Sequence, residues 1–380
     1  MKRVLKSIAL ISVSSIITLF VVELLLHAIP GVLPIEVRQA FNNKGAPHPE
    51  VGNLPEPGST GVIVTRDFES PFEVDEKGFR NEGGWPEQVD IIAIGDSLVF
   101  GYGVDVDLAW PQLLAEKTGS SVLNLGLIGA SPQHYRRIHE AFSRPFAPDV
   151  VVVGFFARND FWDANKFAAW QKSGVGGNYL EWRAFGMPTA EQYANPFYRA
   201  MFELRKRSYV LSLLKFGRDA FRRDSTGQAE IVQTASGSEL YLFEKDFRTK
   251  TELAGPRNDT FKLVVDELRV MRDAALSDGS RLVLLLQPAK EEVYSPNGTN
   301  ELPDATLALR AVLDELGIEY IDAVPVYREM AEAGPALFFS IDGHPNAEGY
   351  ALLADLVAEY LNVAVDQTTE LTLNNQESIE

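Results

Sequence analysis

Ile91-Ile92-Ala93-Ile94-Gly95-Asp96-Ser97-Leu98 decides the fold of this chain. Four apolar residues in a row, too few for a helix and ended by a glycine, read as a strand buried on both faces. Such strands belong to parallel sheets covered by helices on either side. Working outward, the same rhythm returns along the chain. A helix is expected over 108–117, a strand over 122–125, a helix over 132–143 and a strand over 150–156, the most valine-rich run. Beyond a long interruption come a helix over 261–277 and a strand over 282–286. A helix over 305–316, a strand over 319–321 and a helix over 347–361 complete the series. Five strands alternating with helices predict an α/β protein, a three-layer α/β/α sandwich on a five-stranded parallel sheet with right-handed crossovers.

The flanks carry their own signals. Met1-Lys2-Arg3-Val4-Leu5-Lys6 holds three positive side chains, and 8–29 is apolar apart from small hydroxyls, Glu23 and His27. That length crosses a hydrocarbon layer of about 30 Å at about 1.5 Å per residue, and the basic flank puts the N-terminus in the cytoplasm. Glu23 stands past the middle, where a carboxylate reaches the far interface at lower cost. A cleaved signal peptide is the competing reading, with its apolar core over 8–22. A cut after Ala28 would follow Leu26-His27-Ala28, which lacks a small residue at its start, so an uncleaved anchor is preferred. Residues 1–30 are thus expected as stub and transmembrane helix, and 31–61, rich in proline and glycine, as a linker. The expected domain covers 62–362, opening with an extended lead-in over 62–80. An insertion over 161–255 would lie above the carboxyl edge of the sheet. Its aromatics (Phe161, Trp162, Trp170, Tyr179, Trp182, Phe185) line a cleft or form the insert's own core. The acidic tail 363–380 is expected to be disordered.

Composition removes several classes. A net charge of −18 disfavours nucleic acid as a partner, and the run Arg205-Lys206-Arg207 reads as a solvated helix face. The chain has no cysteine, so disulfides, thiolate catalysis and cysteine-ligated metals are out. The five histidines include no H-x-x-x-H pair, and no metal or cofactor is expected. Gly101-Tyr102-Gly103 lacks the third glycine of a dinucleotide loop.

Four segments carry chemistry. Ser97 follows the end of a buried strand, where its hydroxyl is exposed and its N–H is free; the bland reading is a helix cap at Asp96-Ser97. Gly129 offers a bare N–H after the second strand, or is a loop glycine. Asn159-Asp160 follows the third strand with an amide donor, or is a cap. Asp342-Gly343-His344-Pro345-Asn346 precedes the last helix, or is an Asp-Gly turn capped by Asn346. Together they would meet at one edge of the sheet. They supply the nucleophile, base, orienter and oxyanion donors that acyl transfer needs.

These blocks resemble the SGNH/GDSL hydrolase family over roughly residues 72–362, in its membrane-anchored bacterial form. The resemblance implies a flavodoxin-like SGNH hydrolase fold with Ser97 as nucleophile and first oxyanion donor. Gly129 and Asn159 are the other implied donors, Asp342 the orienter and His344 the base. Lys77-Gly78-Phe79-Arg80, the 99–104 run and Pro288-Ala289-Lys290-Glu291-Glu292-Val293-Tyr294 share that likeness. Two places depart from the pattern. Ala157 stands where the third block has glycine, and Asp342 is two residues before His344 instead of three, with Ile341 at the usual place. A backbone carbonyl is therefore an alternative orienter of the imidazole.

The expected function is an exported, anchored serine esterase removing O-acetyl groups from envelope or extracellular polysaccharide, with its catalytic domain periplasmic or extracellular. An O-acyltransferase working with a membrane partner that delivers acyl groups, and a lipase or lysophospholipase, use the same chemistry. A decayed glycan-binding scaffold is the non-catalytic alternative. Acylated glycan or lipid is the expected substrate.

Overall fold

The computed structural model describes residues 2–42, 45–222, 229–295 and 306–377. Positions 43–44 of the expected linker, 223–228 of the insertion, 305 of a helix and 378–380 of the tail lie outside the described residues. The chain divides into two units, residues 46–168 with 227–380, and residues 1–45 with 169–226.

The larger unit is built on five parallel strands, β1 (Ile91–Gly95), β2 (Val122–Gly126), β3 (Val150–Phe155), β4 (Arg281–Leu286) and β5 (Glu319–Asp322). Their order across the sheet is β5-β4-β3-β1-β2, so the fold is the expected α/β/α sandwich. The apolar runs behave as read: every residue of β1 and β3 is buried. Even-numbered side chains of β1 (Ile92, Ile94) face the helices Pro132–Ile138, Asp259–Asp278 and Leu307–Leu316. Odd-numbered ones (Ile91, Ala93) face Trp110–Thr118, Val324–Ala333 and the last helix. In this strand order the direction of winding reverses between β1 and β3, which opens a crevice at their carboxyl ends.

Register puts Gly126, Gly95 and Gly154 side by side across β2, β1 and β3. The row has a packing cause, because the short helix Ser97–Phe100 folds back over it. A Cβ at Gly95 would come 2.2 Å from Val99 Cγ2, one at Gly154 2.5 Å from the same atom, and one at Gly126 2.3 Å from the Phe100 nitrogen. Three missing side chains let the turn after β1 sit directly on the sheet.

The expected lead-in is an antiparallel pair, Thr60–Val64 with Glu69–Glu73, whose Ile63, Phe68 and Phe72 pack with Phe100 and Tyr102. The expected linker differs. Part of it pairs as Ala46–His48 with Gly52–Leu54, and Val51 and Leu54 enter the main core. Strands of three residues show no alternation to read. The last helix runs from Ala347 to Glu377 instead of stopping at Leu361, since 362–377 contains no glycine or proline to end it.

The smaller unit is helical and includes Lys2–Ala28, Ile35–Asn42, Tyr179–Phe185, Pro196–Arg205 and Tyr209–Arg222. The insertion is therefore not one body: 169–226 folds with the N-terminal residues, and 227–255 with the sheet. Its aromatics divide likewise, Phe161 joining the core of the larger unit and others packing within the smaller one. Tyr179, Trp182 and Phe185 are buried, with Phe41 edge-on to Phe185 at 5.1 Å. Glu23 fastens this unit. Its carboxylate accepts Ser208 Oγ–H (2.8 Å) and the N–H groups of Tyr209 (2.8 Å) and Val210 (3.0 Å), capping the helix Tyr209–Arg222.

Candidate active site

The site starts from the turn after β1. Asp96 Oδ1 accepts the Leu98 N–H at 2.9 Å and caps the helix Ser97–Phe100, which Gly101 ends in the left-handed conformation (φ 82°). The cap reading holds for this turn, while Ser97, expected with an exposed hydroxyl, is buried at 6% exposure. Its Oγ lies 2.8 Å from His344 Nε2.

His344 is held on three sides. Asp342 Oδ1 lies 2.6 Å from its Nδ1 and accepts its main-chain N–H at 2.9 Å. The Tyr102 ring stacks on the imidazole at 4.2 Å and 24°. In the loop itself Phe339 N–H donates to His344 C=O at 3.2 Å. A carboxylate at Nδ1 keeps the proton there and leaves Nε2 to accept from the serine hydroxyl. Thus the carboxylate, not a backbone carbonyl, lies against the ring despite the shortened spacing. Burial opposes the charge of Asp342, but His344 and then Lys290 hold its carboxyl down to about 2. Asn346 Oδ1 accepts the Gly349 N–H at 3.1 Å, so the capping role read from sequence operates beside the histidine.

Gly129 sits in the loop after β2 with φ 73°. Among the described residues neither its N–H nor that of Ser97 meets a protein acceptor. Asn159 Nδ2 donates to Asp96 Oδ2 at 3.0 Å, leaving a second N–H, while its Oδ1 is buried without a partner. Asp160 is a structural acid: it accepts Phe156 N–H (2.8 Å) and Tyr135 O–H (2.6 Å), and burial with the nearby Asp96 raises its pKa well above the carboxylate range. Burial likewise pushes Asp96 up to about 6, against the pull of its bonds from Leu98 and Asn159. Leu98, Phe156, Phe247 and Ala289 form an apolar cluster among the segments that carry these groups. The histidines outside the site have local partners, His134 at Ser131 and His139 at Ser143.

Sequence reasoning gave no role to Tyr102, Phe247, Asp67 or Lys290. Only Lys290 left a signal, a charged pair with Glu291 just past a buried strand.

A doubly wound sheet with serine, imidazole and carboxylate hydrogen-bonded in line at its switch point has the arrangement of an acyl-transfer site. The GDSL-like Lipase/Acylhydrolase family matches residues 93–352, well over half of the sequence. The chain belongs to that family and is a carboxylic ester hydrolase. Among solved structures it is similar to a member of the lipolytic protein G-D-S-L family from Veillonella parvula (15% identity, 71% of this chain and 96% of that one, TM-score 0.36). Others are the esterase EstA from Pseudoalteromonas sp. (12%, 73% and 99%, 0.36) and a carbohydrate esterase family 2 enzyme with its carbohydrate-binding domain from Corynascus thermopiles (13%, 79% and 74%, 0.37). A comparison with curated proteins gives no match.

Proposed function

We propose that this is an exported, membrane-anchored serine esterase that removes O-acetyl groups from envelope or extracellular polysaccharide. Ser97 Oγ attacks the ester carbonyl carbon as His344 Nε2 takes its proton, and Asp342 stabilises the imidazolium. The N–H groups of Ser97 and Gly129 and the free N–H of the Asn159 amide receive the oxyanion. His344 then protonates the departing sugar oxygen, leaving an acetyl-serine. Water, losing its proton to His344, attacks that ester, and Ser97 regains its hydrogen as acetate leaves. The observation that carries this reading is the unbroken line from Ser97 Oγ through His344 to Asp342, at 2.8 and 2.6 Å.

The anchor reading rests on the 23-residue apolar helix Lys6–Ala28. At about 1.5 Å per residue it is long enough for the hydrocarbon layer. The basic residues before it orient it with the N-terminus inside. Glu23 supports retention over cleavage, because a cut after Ala28 removes the side chain that caps Tyr209–Arg222. That location and the esterase family support the substrate class.

Ser97→Ala in the full-length protein is expected to abolish hydrolysis of p-nitrophenyl acetate and labelling by a fluorophosphonate. Wild-type turnover in that variant sinks the assignment. Turnover that is negligible in water and appears on adding a glycan acceptor turns the reading to an acyltransferase.

A further inference from the structure

Lys290 and Glu291 open a short helix just past the end of β4, and both side chains are 0% exposed. A buried lysine beside a buried glutamate is costly unless each finds partners. Their partners lie on two different segments of the site. Lys290 Nζ donates to consecutive main-chain carbonyls of Phe339 (3.1 Å), Ser340 (2.9 Å), Ile341 (3.1 Å) and Asp342 (2.9 Å). An ammonium has three N–H groups, so one is shared among the four oxygens. The same segment is gripped from its other polarity by Asp67, whose Oδ2 accepts the N–H groups of Ile341 (2.9 Å) and Asp342 (2.5 Å). Glu291 takes other partners. It accepts the Phe243 N–H at 3.1 Å and pairs with the Arg158 guanidinium at 3.3 Å, next to Asn159.

We propose that Lys290 and Glu291 are positioning residues, a bracket that holds the Asp342–His344 loop and the Arg158–Asn159 turn in register around Ser97. The inference rests on the assignment of those residues to catalysis. Its physical basis is that, of the loop carbonyls, Ser340 also accepts Tyr241 N–H (2.8 Å) and His344 accepts Phe339 N–H (3.2 Å), while among the described residues those of Phe339, Ile341 and Asp342 are held by Lys290. Four aligned C=O groups repel one another unless a cation lies among them, and burial of that cation excludes the water that would otherwise compete. Without Lys290 the loop relaxes, and a misplacement of about 1 Å at the base is enough to cost about a hundredfold in rate. Burial drives the Lys290 pKa down to about 8 while Glu291 and Asp342 oppose the shift.

The test uses the full chain in detergent, with turnover of p-nitrophenyl acetate expressed per serine titrated by a fluorophosphonate. Lys290→Met is expected to lower kcat per titrated serine about a hundredfold with KM within about threefold. A merely structural role would lower the number of titrated serines and leave the turnover of each unchanged, and that result overturns the proposal. If Lys290→Met does not fold, Glu291→Gln keeps an acceptor for Phe243 and removes only the charge facing Arg158. It should lower kcat about tenfold, with little further loss when Arg158→Gln is added, since both changes break the same link. Additive losses, or none, count against it. Because the chain has no cysteine, Lys290→Cys can be aminoethylated at that position alone in the unfolded state, since the position is buried, and refolding then restores an ammonium at nearly the original reach. Recovery of kcat supports the bracket, and complete alkylation without recovery overturns it. Ser97→Ala with retained activity would instead remove the functional reading beneath it.

Discussion

Replacing Asp342 by asparagine separates shape from charge at the histidine. The carboxylate oxygen lies 2.6 Å from His344 Nδ1, and the two side chains are only 19% and 21% exposed, so solvent screens the pair weakly. With charge centres about 4 Å apart and an effective dielectric near 20, their attraction is about 4 kcal/mol once the imidazolium forms. That energy exists in the transition state and not in the resting enzyme, so its loss appears in kcat, at about a thousandfold. KM should hold, because asparagine keeps an oxygen for the His344 N–H and nearly the same size. With the Asp342 carboxyl held at about 2, the charge is present throughout a neutral assay. The measurement is steady-state hydrolysis of p-nitrophenyl acetate at pH 7 to 8, normalised to titrated serine. A kcat within tenfold of the parent would refute the reasoning, since some group other than this carboxylate would then be stabilising the imidazolium.

Asn159→Ala should lower kcat by about 10²–10³ with fluorophosphonate labelling slowed in parallel, as expected for a lost oxyanion donor; unchanged labelling kinetics would remove Asn159 from the hole. Asp96 has its pKa raised from 3.8 to about 6, so the folded form holds a proton between those values that the unfolded chain has released. Its contribution is most favourable below pH 3.8 and is lost as pH rises through 6, by about 3 kcal/mol at most. Asp96→Asn should therefore be as stable as the parent near pH 4 and about 1–3 kcal/mol more stable above pH 7. A stability difference that does not grow with pH in denaturant titrations defeats this. Its kcat should fall all the same, since an amide at 96 no longer dictates which way the Asn159 amide points. Gly126→Ala puts a Cβ 2.3 Å from the Phe100 nitrogen, where backbone must move, so a loss of about 1–3 kcal/mol is expected in thermal melts; a parental Tm would mean that the glycine row is incidental.

The sheet was legible because its strands are short, apolar and separated by amphipathic helices, a pattern that burial on two faces imposes directly. The serine was legible because it follows such a strand, and the histidine because it precedes an amphipathic helix, each in a short recognisable block. Elsewhere the determinants lie between distant residues. The helix Val324–Ala333 begins with Pro325 at its first turn, straight after β5, and left no separate apolar period to notice. The split of the insertion depends on pairings such as Phe41 with Phe185, which no local window contains. The role of Lys290 was not legible because its partners are main-chain carbonyls, and these look the same at every position in a sequence. The Asp342 spacing pointed away from the carboxylate, whereas the bend at Gly343 lets the same oxygen serve both the ring and the backbone of His344.

On the proposed anchored reading, Glu23 makes the N-terminal helix more than a tether. Three hydrogen bonds tie it to the start of a helix nearly two hundred residues later, so an unrelated apolar segment spliced in its place would still hold the enzyme at a bilayer while leaving that later helix without its lid. Such a chimaera should be clipped by protease near residue 208 sooner than the native protein, and equal resistance would show that the two helices are neighbours without being dependants.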